Sequence, residues 1–153
     1  MGCKMQKLKI LNKKEIKRII SLLKEQWGFD GELDYAFLQN DKGKVFIVNK
    51  DVSKIDFEKV RINSIGMYFG MVHDDGVRLS IEGSQLIGHF VKKNILELDE
   101  KGMKEWLAGE DLIMNIDKGY YIIKNGDDFL GTGKATGEKV LNFVSKTRRV
   151  RVI

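Results

Sequence analysis

The sequence predicts an α+β fold built from two small units. One amphipathic helix lies near the start of the 153-residue chain, and short apolar strands separated by tight turns follow it. These turns are too short for the crossover helices that connect parallel strands. We therefore expect an α/β unit with a mostly antiparallel sheet over residues 1–91. Several short strands around one helix then predict a strongly bent sheet or barrel over residues 92–153.

The first helix begins after Asn12, whose side chain can cap it, and Glu15 can complete a capping box. The apolar positions that follow have the spacing of one helical face: Ile16, Ile19, Ile20 and Leu23. Basic residues occupy most of the remaining surface: Lys13, Lys14, Lys17, Arg18 and Lys24. We favour simple solvation of this basic face, and contact with RNA or a partner protein stays open as the alternative.

Strands and turns alternate through the rest of the first unit. Strands are predicted at 35–38, 45–48 and 77–81, turns at 40–43 and 73–76, a loop at 50–59 and a short helix at 83–90. The apolar stretch 61–72 contains Gly66 and Gly70. Glycine inside a strand indicates a bulge or the close approach of another backbone.

The second unit opens with a strand at 95–98 and a helix at 100–107. Asp99 can cap this helix, and Gly109 can end it. Five further strands are predicted at 112–115, 120–124, 129–132, 140–144 and 148–152. Glycines are expected to mark the turns between them: Gly119, Gly126, Gly131, Gly133 and Gly137.

Composition excludes several classes of protein. Hydrophobic residues make up 42% of the chain, which is enough to bury a core. No apolar run approaches the roughly 18–20 residues that span a bilayer, and residues 1–5 lack the apolar stretch of a signal peptide. A single cysteine, Cys3, can form neither an internal disulfide nor a cysteine-based zinc site. We therefore expect a cytoplasmic protein without membrane contact.

Candidate catalytic and metal-binding residues are few. The two histidines, His73 and His89, lack the spacing of a metal-binding pair. Paired acids at 74–75, 110–111 and 127–128 lie beside glycines in predicted turns, where acids are typical turn formers. No nucleophile beside a base is visible in the sequence. We therefore expect no catalytic residue, no metal, no cofactor and no enzymatic activity.

The glycine-rich run 131–137 has the composition of a phosphate-binding loop but not its pattern. A Walker loop requires glycine where Asp128 stands and a hydroxyl residue where Ala135 follows Lys134. No long helix is predicted after the run to direct its dipole at a phosphate. An NTPase is therefore disfavoured, although such a loop can still admit another backbone closely.

Positive charge is concentrated at the two ends of the chain. The formal net charge is +5, yet residues 1–25 contain eight basic and two acidic residues, and residues 134–153 contain six basic and one acidic. The residues between them contain more acids than bases. Two basic ends on a slightly acidic body suggest a polyanionic partner.

The strongest local signal is the basic final stretch, residues 145–153. As a strand it would place Arg149 and Arg151 on one face and Arg148 on the other. Guanidinium groups are costly to bury without partners, and they fit phosphate oxygens in a two-pronged geometry. The stretch therefore favours nucleic-acid binding that weakens as salt rises, with an ordinary solvated tail as the alternative.

The second unit resembles a PUA domain, the RNA-binding module named from pseudouridine synthases and archaeosine transglycosylases. The resemblance rests on the order of strand, helix and closely spaced strands, with Gly109-Glu110-Asp111 after the helix and the sequence Asp-Asp-Phe-Leu-Gly-Thr-Gly at 127–133. In the first unit, residues 63–70 and 77–81 are similar to the pre-PUA domain of small two-domain proteins of large-ribosomal-subunit biogenesis.

This resemblance implies a pre-PUA domain at 1–91, a PUA pseudo-barrel at 92–153, no catalytic activity, and binding of RNA, either rRNA or tRNA. By position, it implies RNA contacts from the loop after the helix, from the final strand and from the adjoining turn. The residues concerned are Gly109, Glu110, Lys134, Lys139, Lys146, Arg148, Arg149 and Arg151. Because Glu110 and Asp111 make the loop acidic, its backbone amides suit RNA better than its side chains do.

Three functions remain open at this point. The favoured one is a stand-alone RNA-binding protein that acts in rRNA processing or ribosome assembly. The second is an accessory subunit of an RNA-modifying enzyme, a methyltransferase or pseudouridine synthase, with Met67, Tyr68 and Phe69 as a docking segment, although core packing is the favoured role for these residues. A small-molecule enzyme is the least favoured. Ribosome-assembly or RNA-modification proteins are the expected protein partners.

Overall fold

The computed structural model describes residues 8–50, 66–146 and 149. It has an α+β fold with two five-stranded sheets, which confirms the predicted fold class. The first sheet consists of β1 (Lys9–Ile10), β2 (Ala36–Gln39), β3 (Lys44–Val48), β4 (Met67–His73) and β5 (Gly76–Leu79). The second consists of β6 (Ile95–Glu97), β7 (Leu112–Ile113), β8 (Gly119–Asn125), β9 (Asp128–Ala135) and β10 (Lys139–Leu141).

Three α-helices lie in the described part of the chain: α1 (Lys13–Trp27), α2 (Ile81–Ile87) and α3 (Glu100–Leu107). A 3-10 turn, Gly88–Phe90, extends α2. None of these helices is long and apolar enough to cross a membrane. The predicted loop at 50–59 lies outside the described residues except for position 50, and the predicted strand at 148–152 does so except for position 149.

Helix α1 begins and ends as the sequence predicts. Asn12 and Glu15 form the capping box, in which the side chain of each residue accepts a hydrogen bond from the other's backbone N–H. Gly28, with a φ of 65°, follows the last turn in the left-handed conformation that ends many helices. The buried residues of α1 are Ile19, Leu23 and Trp27. The opposite side, which carries the lysines, faces solvent.

The first sheet is antiparallel throughout, in the order β1-β2-β3-β4-β5. Its register shifts where β3 meets β4, which is a bulge. At Gly70 a Cβ atom would lie 2.3 Å from the carbonyl oxygen of Arg78, so the predicted close backbone approach is confirmed there. The predicted strand 77–81 is too long, because Ser80 instead caps α2 by accepting a hydrogen bond from the N–H of Gly83.

The second sheet curls into a half-barrel in the order β6-β8-β9-β10-β7. β6 pairs in parallel with β8, and the other pairs are antiparallel. Gly131 and Gly133 lie inside β9, so their prediction as turn residues is wrong. Gly131, with a φ of 90°, lies where the β8–β9 register shifts. Gly133 lies under Trp106, whose ring would be 2.9 Å from a Cβ atom there.

The two sheets share buried contacts. The core around α1 and the first sheet also contains Tyr120, Ile122 and Phe129 of the second sheet. Trp27 connects them directly, because its indole N–H donates to the carbonyl of Tyr120 at 3.0 Å. A second core surrounds Trp106 inside the half-barrel. The domain boundary between residues 91 and 92 stays a prediction.

Candidate RNA interface

The polypeptide leaves the half-barrel through residues 142–146, here named the closing segment. Asn142 fastens this segment to the loop after α3. Its side-chain amide donates to the carbonyls of Trp106 at 2.7 Å and Glu110 at 2.8 Å, and its amide oxygen accepts from the N–H of Val144 at 2.8 Å. The closing segment and the loop at 109–111 are therefore held as one unit.

Arg149 lies against this unit. Its Nε donates to the carbonyl of Val144 at 3.2 Å. The side chain passes over Gly109, where a Cβ atom would lie 2.4 Å from the Arg149 Nε. Gly109 also has a φ of 94°, so both its backbone conformation and its lack of a side chain are needed. The structure thus brings three predicted site residues together: Gly109, Glu110 and Arg149.

The other predicted site residues differ in their surroundings. Lys146 is exposed and makes no ion pair with another described residue. Lys139 lies beside the closing segment, since its Nζ is 3.8 Å from the carboxylate of Asp111, which also accepts from the N–H of Asn142 at 2.8 Å. Arg148 and Arg151 lie outside the described residues.

Lys134 makes a contact that the sequence did not indicate. Its Nζ lies 3.1 Å from the carboxylate of Asp75, which belongs to the β4–β5 turn of the first sheet. Tyr120 donates from its hydroxyl to the same carboxylate at 3.1 Å. The hydrogen bond from Lys134 holds the pKa of Asp75 below its usual value and raises the pKa of Lys134. This lysine therefore connects the two sheets, and part of its charge is compensated.

The basic face of α1 has no such compensation. This face consists of Lys13, Lys14, Lys17, Arg18 and Lys24. All five side chains are exposed, and none forms an ion pair with another described residue. Lys9, just before the helix, differs because its Nζ is 2.8 Å from the carboxylate of Glu15. The α1 basic face is therefore a stripe of cations that no acid of the described residues contacts.

One feature of the surface was missed by the sequence analysis. A cavity of about 390 Å³ lies where β4, β5 and the start of α2 meet β9 and the closing segment. Tyr68 and Phe143 are its aromatic lining residues. They are far apart in the sequence, and each fits the apolar pattern of its own strand or segment, so no local signal could have paired them. In the predicted docking segment, Phe69 is fully buried, whereas Met67 and Tyr68 are partly exposed and line this cavity.

The titratable residues do not form a metal site within the described ranges, where no group of three His, Cys, Asp or Glu side chains could hold an ion. His73 ends β4, and His89 lies in the 3-10 turn with its ring edge toward Phe129, 5.1 Å between centroids. The acids at 74–75 lie in the turn between β4 and β5, as predicted.

The curled half-barrel with one helix agrees with the architecture that the resemblance to a PUA domain, an RNA-binding module, implies. Comparison with protein families gives the same result. Residues 93–150 match the family described as the Methyltransferase RsmF PUA domain, so this part of the chain is similar to a PUA domain of that type. Comparison with curated proteins found no match. The similarity of the first sheet to a pre-PUA domain stays a prediction.

Proposed function

We propose that this protein binds RNA through its PUA domain and has no catalytic activity of its own. The observation that carries the proposal is the match of residues 93–150 to a PUA family, which covers the half-barrel and the closing segment. We further propose rRNA as the ligand, in ribosome biogenesis or RNA modification, because residues 63–70 and 77–81 resemble the pre-PUA domain of proteins of large-ribosomal-subunit biogenesis. The two basic ends of the chain fit a polyanionic ligand of this kind.

The proposed contacts are of two kinds. Lys146 and Arg149, together with Arg148 and Arg151, would contact phosphate oxygens and so position the RNA without reading its sequence. The loop at Gly109 and Glu110 would contribute backbone groups. Lys134 and Lys139 would extend the surface, although each already has an acid nearby, Asp75 and Asp111 respectively.

A salt titration with matched variants tests the proposal. Binding of rRNA fragments would be followed by fluorescence anisotropy at increasing salt for the parent, for Lys146→Glu/Arg149→Glu, and for Lys42→Glu/Lys93→Glu. The control pair is exposed, lies away from the closing segment in the sequence, and changes the net charge by the same amount. We expect the affinity of the parent to fall as salt rises, and the first variant to lose about tenfold more affinity than the control.

Two results would count against the proposal. If the parent does not bind RNA, the proposed function is wrong. If both double variants lose affinity equally, binding reflects net charge alone, and the RNA surface lies elsewhere.

A second candidate function has one specific observation in its favour, since the matching family is the PUA domain of a methyltransferase. The chain could then act as an accessory subunit of an RNA-modifying enzyme. Affinity purification from native cells after nuclease treatment distinguishes the two: recovery of a modifying enzyme without RNA favours the accessory role, and loss of every partner favours the stand-alone role.

A further inference from the structure

The cavity between the first sheet and the half-barrel has the volume and the aromatic lining of a site for a flat ring. Its volume of about 390 Å³ is within the range of roughly 300–1,000 Å³ that is usual for small-ligand sites. Tyr68 and Phe143 contribute half-buried rings, and Leu79 and Leu130 add apolar walls. Aromatic faces of this kind are the usual stacking platforms for unpaired bases.

Cations flank both rings. The guanidinium carbon of Arg78 lies 4.2 Å from the ring centroid of Phe143, and the Nζ of Lys44 lies 5.6 Å from that of Tyr68. Burial raises the pKa of Tyr68, and the charge and hydrogen bond of Arg78 oppose that rise. Tyr68 therefore stays neutral near neutral pH.

The polar groups in the cavity wall are already engaged. The Ser80 hydroxyl donates toward the carbonyl of Tyr68 at 2.5 Å, with the carbonyl of Phe69 at 3.1 Å, and accepts from the N–H of Gly83 at 2.9 Å. Thr132 accepts from the N–H of Leu79 at 3.1 Å. The Ser80 hydroxyl therefore has no donor left for the edge of a base, and the Thr132 oxygen is already used as an acceptor. Recognition in the cavity would therefore depend on ring stacking, which tolerates any of the four bases.

A phosphate-binding cation lies next to the cavity rather than in its lining. Just outside, Lys146 directly follows Ser145, the last lining residue of the closing segment, and it is exposed. A nucleotide whose phosphate contacts Lys146 is therefore next to the cavity that could receive its base.

We propose that this cavity holds one unpaired nucleobase of a bound RNA, stacked against Tyr68 and Phe143. The inference rests on the proposed function, because it assumes that RNA lies along the closing segment. It adds a ligand site formed jointly by the first sheet and the PUA half-barrel, and it predicts a preference for single-stranded over fully paired RNA.

An abasic scan tests this proposal in the intact protein. The probe is a fluorescent single-stranded RNA of roughly 12 nucleotides, which is within the usual site sizes of single-strand-binding domains. In the scan, each position in turn lacks its base. The proteins are the parent, Tyr68→Leu, Phe143→Leu and the control Phe90→Leu. Leucine retains apolar volume and removes the ring, and Phe90 is an exposed aromatic residue outside the cavity.

For the parent, we expect removal of one particular base to weaken binding about tenfold, with smaller effects elsewhere. Tyr68→Leu and Phe143→Leu should weaken binding of the intact RNA by a similar factor but should no longer respond to loss of that base. Phe90→Leu should behave as the parent. Two RNAs, with and without the base, and two proteins, the parent and one ring variant, thus form a double-mutant cycle. The cycle measures the coupling between that base and the removed ring.

The outcomes separate this inference from the proposed function. If the parent binds RNA but every base contributes equally, or if the two cavity variants remain as sensitive to base loss as the parent, the base-binding cavity is wrong and RNA binding stands. If the parent does not bind the probe or rRNA fragments at any salt concentration, both proposals are wrong. Circular dichroism of the variants checks that each remains folded.

Discussion

The two basic ends of the chain have similar net charges, but they differ in how many of their cations contact an acid or a carbonyl. On α1, five cations are exposed and none contacts a described acid. At the end of the PUA domain, Lys134 contacts Asp75, Lys139 approaches Asp111, and Arg149 donates to a backbone carbonyl. Lys146 alone among the described site residues with positive charge has no such contact.

This difference shows that net charge along a segment does not measure the charge available to a ligand. The acids that compensate Lys134 and Lys139 lie outside residues 134–153, where the charge was counted. An ion-paired lysine must lose its protein partner before it gains a phosphate, whereas a solvated lysine releases only water and ions. The α1 basic face therefore deserves the same test as the PUA surface.

The largest effect is expected from charge removal on α1. Lys17→Gln/Lys24→Gln should lower the affinity for long single-stranded RNA, and it should reduce the slope of log affinity against log salt by about 1.4, or roughly 0.7 for each lost phosphate contact. The matched variant Lys134→Gln/Lys139→Gln removes the same charge from paired lysines and should change the slope less. Equal slopes in all three proteins would leave the α1 basic face as a solvated surface without RNA contact.

A smaller effect is expected at the loop that Arg149 covers. Gly109→Ala adds a Cβ atom 2.4 Å from the Arg149 Nε and also strains a positive φ. Gly126→Ala is the control, because its φ is also positive, at 58°, but no atom of another described residue lies within 4 Å of an added Cβ, its two chain neighbours aside. Both variants should lose about 1 kcal/mol of folding free energy through backbone strain, measured by urea unfolding.

The two glycine variants should differ in RNA binding. Gly109→Ala displaces Arg149 and should weaken binding, while Gly126→Ala should leave it unchanged. If Gly109→Ala binds RNA as tightly as the parent, then Arg149 does not need its position over Gly109 to contact RNA. The closing segment would then contribute less to RNA affinity than proposed.

The smallest effect is expected from the contact between the sheets, and it depends on pH. The hydrogen bond from Lys134 lowers the folded-state pKa of Asp75 below its ordinary value of 3.8, so the contact stabilises the protein above that pH. The stabilisation is lost as the pH falls through the lowered pKa. Asp75→Asn should therefore unfold at slightly lower urea than the parent at neutral pH, and the difference should disappear well below pH 3.8.

Asp74→Asn provides the control for this experiment, because Asp74 is the exposed neighbour in the same turn. It should match the parent over the whole pH range. If the urea midpoint of Asp75→Asn changes with pH in the same way as that of the parent, the ion pair contributes nothing measurable to stability. This is true of many exposed ion pairs.

Local signals in the sequence predicted the helices more accurately than the strands. Asn12 and Asp99 each accept a hydrogen bond from a backbone N–H three residues later, so the helix starts depend on residues that are adjacent in the chain. Gly131 and Gly133 were predicted as turn residues and lie inside β9 instead. Their positions depend on the register with β8 and on the ring of Trp106, neither of which is local.

The sequence by itself determined the α+β class, the capped helices and the antiparallel first sheet, because each follows from short-range periodicity and from chain order. The resemblance to a PUA domain came from motifs shared with a known family, such as residues 109–111 and 127–133. Only the tertiary structure decided which cations are compensated and where the base-sized cavity lies. Asp75 contacts Lys134, and Tyr68 and Phe143 line one cavity, because the first sheet packs against the half-barrel and the closing segment. Contacts between residues so far apart in the chain leave no periodic trace in one sequence, since each partner also satisfies the pattern of its own strand or turn.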